Sequence, residues 1–277
     1  MRLINPDSTH WYTRDGRAMH TVKDKRGNDR ATTLRDARKL DLLPSVTAVL
    51  GIIAKEQLVA WKIEQALLSA LTLPRMENEP LDSYAQRVVE DSQDRTNTAM
   101  EFGTDFHAGA QRVALNPAEL QDSEPAYPWL VYYRDWLSKA AERVIWAERI
   151  LVNSPEGYAG TADLLMVHRS HGLCLVDIKT QGVKDSPRIY PSWCYQLAAY
   201  RAAIGKDLRC LNLVVNSAEP GPVTEHVWSL AELQEGWEVF RSAHRIWRFE
   251  KNFDPRRAET QPINVLTEIT RQTALPV

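Results

Sequence analysis

Three stretches, VIWAERILVN (144–153), YAGTADLLMVH (158–168) and LCLVDIKT (173–180), decide how the chain folds. Each is short, rich in β-branched and long aliphatic side chains, and bounded by turn formers: Pro155-Glu156-Gly157 in the first gap, Ser170-His171-Gly172 in the second. Three neighbouring strands joined by tight turns predict an antiparallel meander. Beyond it, helical spacing over 191–204 gives a helix, LRCLNLVVN (208–216) a strand, 222–228 an edge strand and 230–250 a long amphipathic helix. Strands interleaved with helices in that order imply a mixed sheet flanked by helices.

Before residue 143 the period is helical. After a polar, turn-rich opening (5–42), Pro44-Ser45 reads as a helix entry, followed by Val46, Val49, Leu50 and Ile53. A second apolar stripe runs through Leu58, Trp61, Ile63, Leu67, Leu68 and Leu71, and further helices are expected over 84–115 and 127–142. The expectation is two regions: a helical one over 1–142 and a sheet-containing one over 143–277. The 277 residues, 44% hydrophobic and 25% charged, supply a sizeable core.

Composition excludes several classes. A formal charge of -2 is not that of a histone-like polycation, so any basic partner surface must be local. Residues 23–39, 184–209 and 241–257 carry net charges of +4, +3 and +4, against -5 for 77–101, a polarity that would let a basic groove form. The cations are 24 Arg and 10 Lys, and the planar Arg fork suits phosphate, although an Arg-rich genome gives the same bias. Cys174, Cys194 and Cys210 are too scattered for a disulfide framework and lack CxxC spacing, so no iron–sulfur cluster is expected. The start, MRLINPDSTHWYTRDG, has no basic segment leading into an apolar run, and no window approaches about 18 apolar residues. A cytoplasmic protein without membrane contact is expected. GxxxxGK[ST] and GxSxG are absent, which removes an NTPase motor and a serine hydrolase elbow.

The chemistry concentrates in GTAD (160–163) and, 14 residues after Asp163, in Asp177-Ile178-Lys179. Asp177 and Lys179 share a strand face, and neighbouring strands would bring Asp163 alongside. Two hard oxygen donors suit Mg²⁺ or Mn²⁺ better than Zn²⁺, and an adjacent lysine could hold or deprotonate water. A (D/E)xK tripeptide alone is weak, since about one is expected by chance at this composition, and a solvated strand end with an ion pair is the plain alternative. Context strengthens it: the charges end an apolar run, where they are costly unless they serve a site. Gln196 and Tyr200, at i, i+4 on the next helix, point the same way. His107 lies among small residues on an earlier helix; taken alone, it reads as a hydrogen-bonded core histidine. Trp61, Trp129 and Trp136 fall on apolar stripes and read as packing before base stacking. His168 and His171 flank a turn beside Cys174 and read as solvent-exposed turn histidines, short of a fourth zinc ligand.

Taken together, GxxxH (Gly103, His107), GxxD (Gly160, Asp163), DxK (Asp177, Lys179) and QxxxY (Gln196, Tyr200), in this order, resemble the RecB-like branch of the PD-(D/E)XK nuclease superfamily. Phage-type exonucleases and the mitochondrial genome maintenance exonuclease belong to that branch. The resemblance covers 99–216 and extends to the PSVTAVLG…LVAWK segment (44–62). It implies an α/β (α+β) restriction-endonuclease-like core over 143–277, with the 1–142 region contributing the His107 helix. It further implies that His107, Asp163, Asp177 and the Ile178 main-chain carbonyl hold Mg²⁺ or Mn²⁺. Lys179 would orient and activate the attacking water, and Gln196 and Tyr200 would steady the lysine or the nucleic-acid backbone. Ser45 and Arg188 are added as candidate substrate contacts. Gln111 stands where many members carry an acid about one turn after the histidine, which withholds a ligand from a second metal. The implied activity is a metal-dependent DNA exonuclease working at ends or single strands in recombination, replication or repair, with recombination or replication proteins as partners. The alternatives are a non-catalytic DNA-binding or assembly module on the same fold and an endonuclease with the same core.

Overall fold

The computed structural model describes residues 10–53, 56–183 and 185–257; Lys184 of the basic stretch, the side chain of Leu58 and the 258–277 end of the second region lie outside the described residues. The opening segment, expected as turns, builds small elements. These are β1 (Trp11–Tyr12), a hairpin of β2 (Thr21–Lys23) and β3 (Asp29–Ala31), helix α1 (Leu34–Leu40) and β4 (Leu43–Pro44), which pairs with β1. Polar composition hid α1, yet its ends are chemically marked. Thr33 and Asp36 form a reciprocal capping box, and Asp41 closes the helix in the left-handed region at φ 53°. Helix α2 (Val46–Leu50) begins where Ser45 was read as an entry: its hydroxyl accepts from the Ala48 N–H at 3.0 Å.

Three longer helices follow: α3 (Glu56–Thr72), α4 (Leu81–Leu115) and α5 (Tyr127–Ala140). The stripe on α3 departs from expectation. Ile63, Leu67 and Leu71 are 56%, 58% and 83% exposed, because the inward side of the helix carries buried Ser69 with half-buried Gln65 and Trp61, the last being a residue of the expected stripe. Tyr84 of α4 donates its hydroxyl to the Ala70 carbonyl at 2.7 Å, which ties that side of α3 to α4.

The meander forms as read: β5 (Ala141–Asn153), β6 (Tyr158–His168) and β7 (Gly172–Gln181) pair antiparallel in sequence. Helix α6 (Pro191–Ile204) then crosses over to β8 (Arg209–Asn216), parallel to β7, and β9 (Thr224–Trp228) adds antiparallel at the far edge. Helix α7 (Leu230–Lys251) starts at a Ser229–Glu232 capping box. The result is a five-stranded mixed sheet, β5-β6-β7-β8-β9, with helices on both faces. On one face, Val46, Val49, Leu165, Leu175, Leu197, Phe240 and Trp247 join α2, α6 and α7 to the sheet. On the other, Phe106, Leu130, Tyr133, Leu164, Val176 and Leu213 join α4 and α5 to it.

One irregularity positions everything that follows. The β6–β7 ladder runs from His168/Gly172 to Leu164/Val176 and stops, while β7 stays paired with β8 through Gln181. At the same place β6 loses its alternation: Ala162 and Leu165 pack in the first core, Leu164 and Met166 in the second. The parity switch falls at Asp163, where the two strands part.

Candidate metal centre

Asp163 occupies the gap that opens between β6 and β7. Its Oδ2 accepts from the Ile178 N–H at 2.6 Å, so a side chain satisfies a backbone donor that the missing ladder would have served. The N–H and C=O of a strand residue project from the same edge, which directs the Ile178 carbonyl into the same gap. The GxxD glycine has a packing cause. A Cβ on Gly160 would sit 2.8 Å from Cε1 of Tyr200, so only glycine lets α6 lay that ring on β6. The GxxxH glycine is similar: a Cβ on Gly103 would meet the Thr180 hydroxyl of β7 at 3.2 Å, which brings α4 close to the sheet beside His107.

His107 reaches in from α4. Its Nδ1 lies 3.7 Å from Oδ2 of Asp163 and 3.7 Å from Oε1 of Glu148. Burial alone would depress the imidazole pKa, but the Glu148 and Asp163 carboxylates outweigh it and the net direction is upward. Glu148 was not singled out from sequence. It sits on β5 at φ 48°, a left-handed conformation that costs a non-glycine residue about 1–2 kcal/mol. A signal existed. Asn153 pairs with Tyr158 and Arg149 with Ala162 across the β5–β6 turn, and the same register sets Glu148 opposite Asp163. His107, Glu148 and Asp163 each offer a ligand atom, all within 4.8 Å of one another.

Asp177 and Lys179 lie next to this group on β7. The Lys179 ammonium stands 2.9 Å from Oδ1 and 2.7 Å from Oδ2 of Asp177, and donates to Oε1 of Gln196 at 3.0 Å. The Gln196 amide in turn reaches the Tyr200 hydroxyl at 3.4 Å. Behind the pair, Asn212 of β8 donates to Oδ2 of Asp177 at 2.6 Å. The electrostatics follow from burial. Asp177 is pushed up by desolvation, against the pull of Lys179 and with the help of Asp163. Asp163 is also raised, by desolvation first, while His107 and Lys179 oppose the shift. The Tyr200 hydroxyl is raised well above its ordinary value by burial and by both carboxylates. Burial thus disfavours the ionised form of both carboxyls despite the cations beside them.

Of the residues singled out from sequence, His107 and Asp163 share a ligand cluster with Glu148, Ile178 is bonded to Asp163, and Asp177, Lys179, Gln196 and Tyr200 form a hydrogen-bonded chain beside it; Asp177, expected as a ligand, is not within the 4.8 Å group. Ser45 is buried and occupied as the α2 cap, bridging to Ala159 of β6. Arg188 is exposed, and its backbone exchanges two hydrogen bonds with the Gln181 side chain at the end of β7. Trp129 and Trp136 are anchored to the sheet, donating to the Asn216 carbonyl at 2.7 Å and to Glu225 at 2.5 Å. The three cysteines are buried free thiols, with Cys174 and Cys194 pushed up to about 12 by desolvation.

His168 is buried, contrary to the exposed turn histidine expected from sequence. It forms a second cluster with His171 and Glu225. Its Nδ1 accepts from the Ser170 N–H at 3.0 Å, which assigns the ring proton to Nε2, where it meets Glu225 at 3.3 Å. Both ring nitrogens are thereby engaged.

No protein-family model and no curated protein matches the chain. Among solved structures, one named "Putative exonuclease", from Eubacterium rectale, is similar to it at 18% sequence identity and a TM-score of 0.35, over 64% of this chain and 79% of that chain.

Proposed function

We propose that this protein is a divalent-metal-dependent nuclease that hydrolyses DNA phosphodiester bonds. In this reading it is an exonuclease acting at ends or single strands in recombination, replication or repair, in the cytoplasm and alongside recombination or replication proteins. Residues 143–277 provide the nuclease core and 1–142 contribute the His107 helix. The observation that carries the proposal is one gap in a sheet that gathers Asp163, Asp177, Glu148, His107 and Lys179.

The donor set fits Mg²⁺ or Mn²⁺. Carboxylate oxygens and a strand carbonyl are hard ligands, and an imidazole among them is compatible with Mn²⁺. The raised carboxyl pKa values are compatible with that use, because burial disfavours the ionised form and a cation beside it would favour that form. His107, Asp163, Asp177 and the Ile178 carbonyl would hold the ion, with Glu148 as a further donor. Such an ion, when bound, neutralises charge that builds on the phosphodiester and lowers the pKa of water.

The remaining roles belong to the chain. Lys179, clamped between Asp177 and Gln196, fixes a positive charge where water and a non-bridging phosphate oxygen would lie. Tyr200 is uncharged at neutral pH and holds Gln196, so the lysine cannot swing away. Hydrolysis adds water oxygen to phosphorus as the bond to the 3′ oxygen breaks, and the leaving oxygen takes a proton. Arg188, which is exposed, is the proposed contact to the strand outside the centre; Ser45, buried and engaged as the α2 cap, is not available for that role. No helix among the described residues is long and apolar enough to cross a membrane.

The test is purified chain with end-labelled linear DNA and circular DNA, with Mg²⁺, Mn²⁺ or EDTA. Metal-dependent loss of linear but not circular DNA is expected. Nicked circles would make it an endonuclease. DNA binding without cleavage, unchanged in Lys179→Ala, would make it a binding module and overturn the proposal.

A further inference from the structure

We infer that Asn212, backed by Trp228, is a positioning residue of this centre: its amide determines which oxygen of Asp177 stays open to a cation. The inference rests on the nuclease reading above. Asn212 is the one polar residue among Cys210, Leu211, Leu213, Val214 and Val215 of β8, and it is completely buried. A buried amide is costly unless it is bonded at both ends, and here it is.

Trp228 decides its orientation. The indole Nε1 can only donate, and it lies 2.7 Å from Oδ1 of Asn212. The carbonyl end of the amide must therefore face Trp228, leaving the NH₂ end for Asp177. That end reaches Oδ2 at 2.6 Å and the main-chain carbonyl of the same residue at 3.2 Å. Two bonds from one amide to the backbone and the side chain of Asp177 lock the torsion between them. The parallel register that pairs Asp177 with Asn212 makes this reach available.

The consequence is an asymmetric carboxylate. Oδ2 is taken by Asn212 and Lys179, while Oδ1 meets Lys179 at 2.9 Å. Oδ1 keeps a lone pair that Asn212 does not cover. A carboxylate free to rotate would have to be ordered by the cation itself; here the ordering precedes it. Partners of this kind behind metal ligands typically change metal affinity by about 10–100-fold.

The experiment is Mn²⁺ binding to the full chain, read from the loss of the free-ion EPR signal, beside melting midpoints in EDTA and DNA binding without metal. Asn212→Leu keeps approximate size in an apolar strand and removes both bonds. It is expected to weaken Mn²⁺ binding at least tenfold with DNA binding unchanged. Trp228→Phe, which frees the amide to flip, is expected to weaken it in the same direction by less. The double variant should be no weaker than Asn212→Leu, since both act through one amide. Folded Asn212→Leu binding Mn²⁺ within twofold of wild type would overturn the inference while leaving the nuclease reading standing. Should Asn212→Leu fail to fold, unchanged Mn²⁺ affinity in Trp228→Phe overturns it equally. A wild-type chain that takes up no Mn²⁺ overturns the nuclease reading and this inference together.

Discussion

Replacing Asp177 by Asn is predicted to stabilise the metal-free chain and to abolish the stabilisation that a cation confers. Asp177 is 2% exposed, and desolvation lifts its carboxyl to about 6 from an ordinary 3.8, after the opposing pull of Lys179. At 1.36 kcal/mol per unit, holding it ionised in the folded state costs about 3 kcal/mol relative to the unfolded chain. The sign follows from the proton count. A carboxyl with its folded pKa above its unfolded one binds its proton more tightly when folded. Below about pH 4 both states are protonated and there is no penalty; between about pH 4 and 6 the penalty grows, and above that it is complete. Asn stands in for the protonated form, so it carries none. At roughly 2–4 °C per kcal/mol for a chain of this size, Asp177→Asn should melt roughly 6–12 °C above wild type in EDTA at pH 7.5. The gain should vanish near pH 4, and 10 mM Mg²⁺ should raise the wild type but not the variant. A variant melting at or below wild type in EDTA at pH 7.5, or a gain that does not change with pH, refutes the buried-charge account.

His244 is a buried neutral imidazole among Tyr158, Phe240 and Trp247, held down to about 4 by desolvation. Its folded pKa lies below the unfolded one, so stability present above about pH 6.5 is lost as pH falls toward 4, by about 3 kcal/mol in full; urea melts of His244→Phe should lack this slope. Gly160→Ala should cost about 1–3 kcal/mol through overpacking, and Tyr200→Phe should not relieve it, because the close atom is a ring carbon. Glu148→Gln should lower the His107 titration midpoint, followed by imidazole NMR in metal-free protein, since Glu148 helps hold that pKa up.

Strand and helix identities over 141–251 were legible because each element there carries one dominant local signal. β-Branched runs between Gly or Pro turns gave the meander, and Pro191 with the left-handed Gly205 bracketed α6 at both ends. Short-range motifs supplied most of the centre as well: DxK shares a strand face and QxxxY shares a helix face by period alone. What was hidden depends on pairing between elements. Glu148 becomes a candidate only when the β5–β6 register is written out. Asn212 becomes one only once β8 is known to lie parallel to β7 in a register that sets it beside Asp177. The α3 stripe misled for the opposite reason. Periodicity reports an apolar face but not which face finds a partner, and here the side carrying Trp61, Gln65 and Ser69 is the less exposed one while Ile63, Leu67 and Leu71 face outward.

Two side-chain clusters in the described residues have the composition of a metal site, and their hydrogen bonds separate them. At His168, the Ser170 N–H and Glu225 use both ring nitrogens, so a cation there would have to displace a bond already made. Around Asp163 the opposite holds. Glu148 adopts φ 48°, two carboxyls are held above their ordinary pKa values, and β6 abandons its ladder with β7. Each of these is unfavourable taken alone, and a fold under selection for stability alone would have little reason to place all three within a few ångströms. Costs of this sort gather where function requires them. A divalent cation there would bond the Glu148 and Asp163 oxygens and favour the ionised form of the buried carboxyls, which offsets the electrostatic part of that cost. The second cluster has no such deficit to repair, so of the two groups the one around Asp163, midway along β6, has the chemistry that a cation would favour, and the one at the His168 end does not.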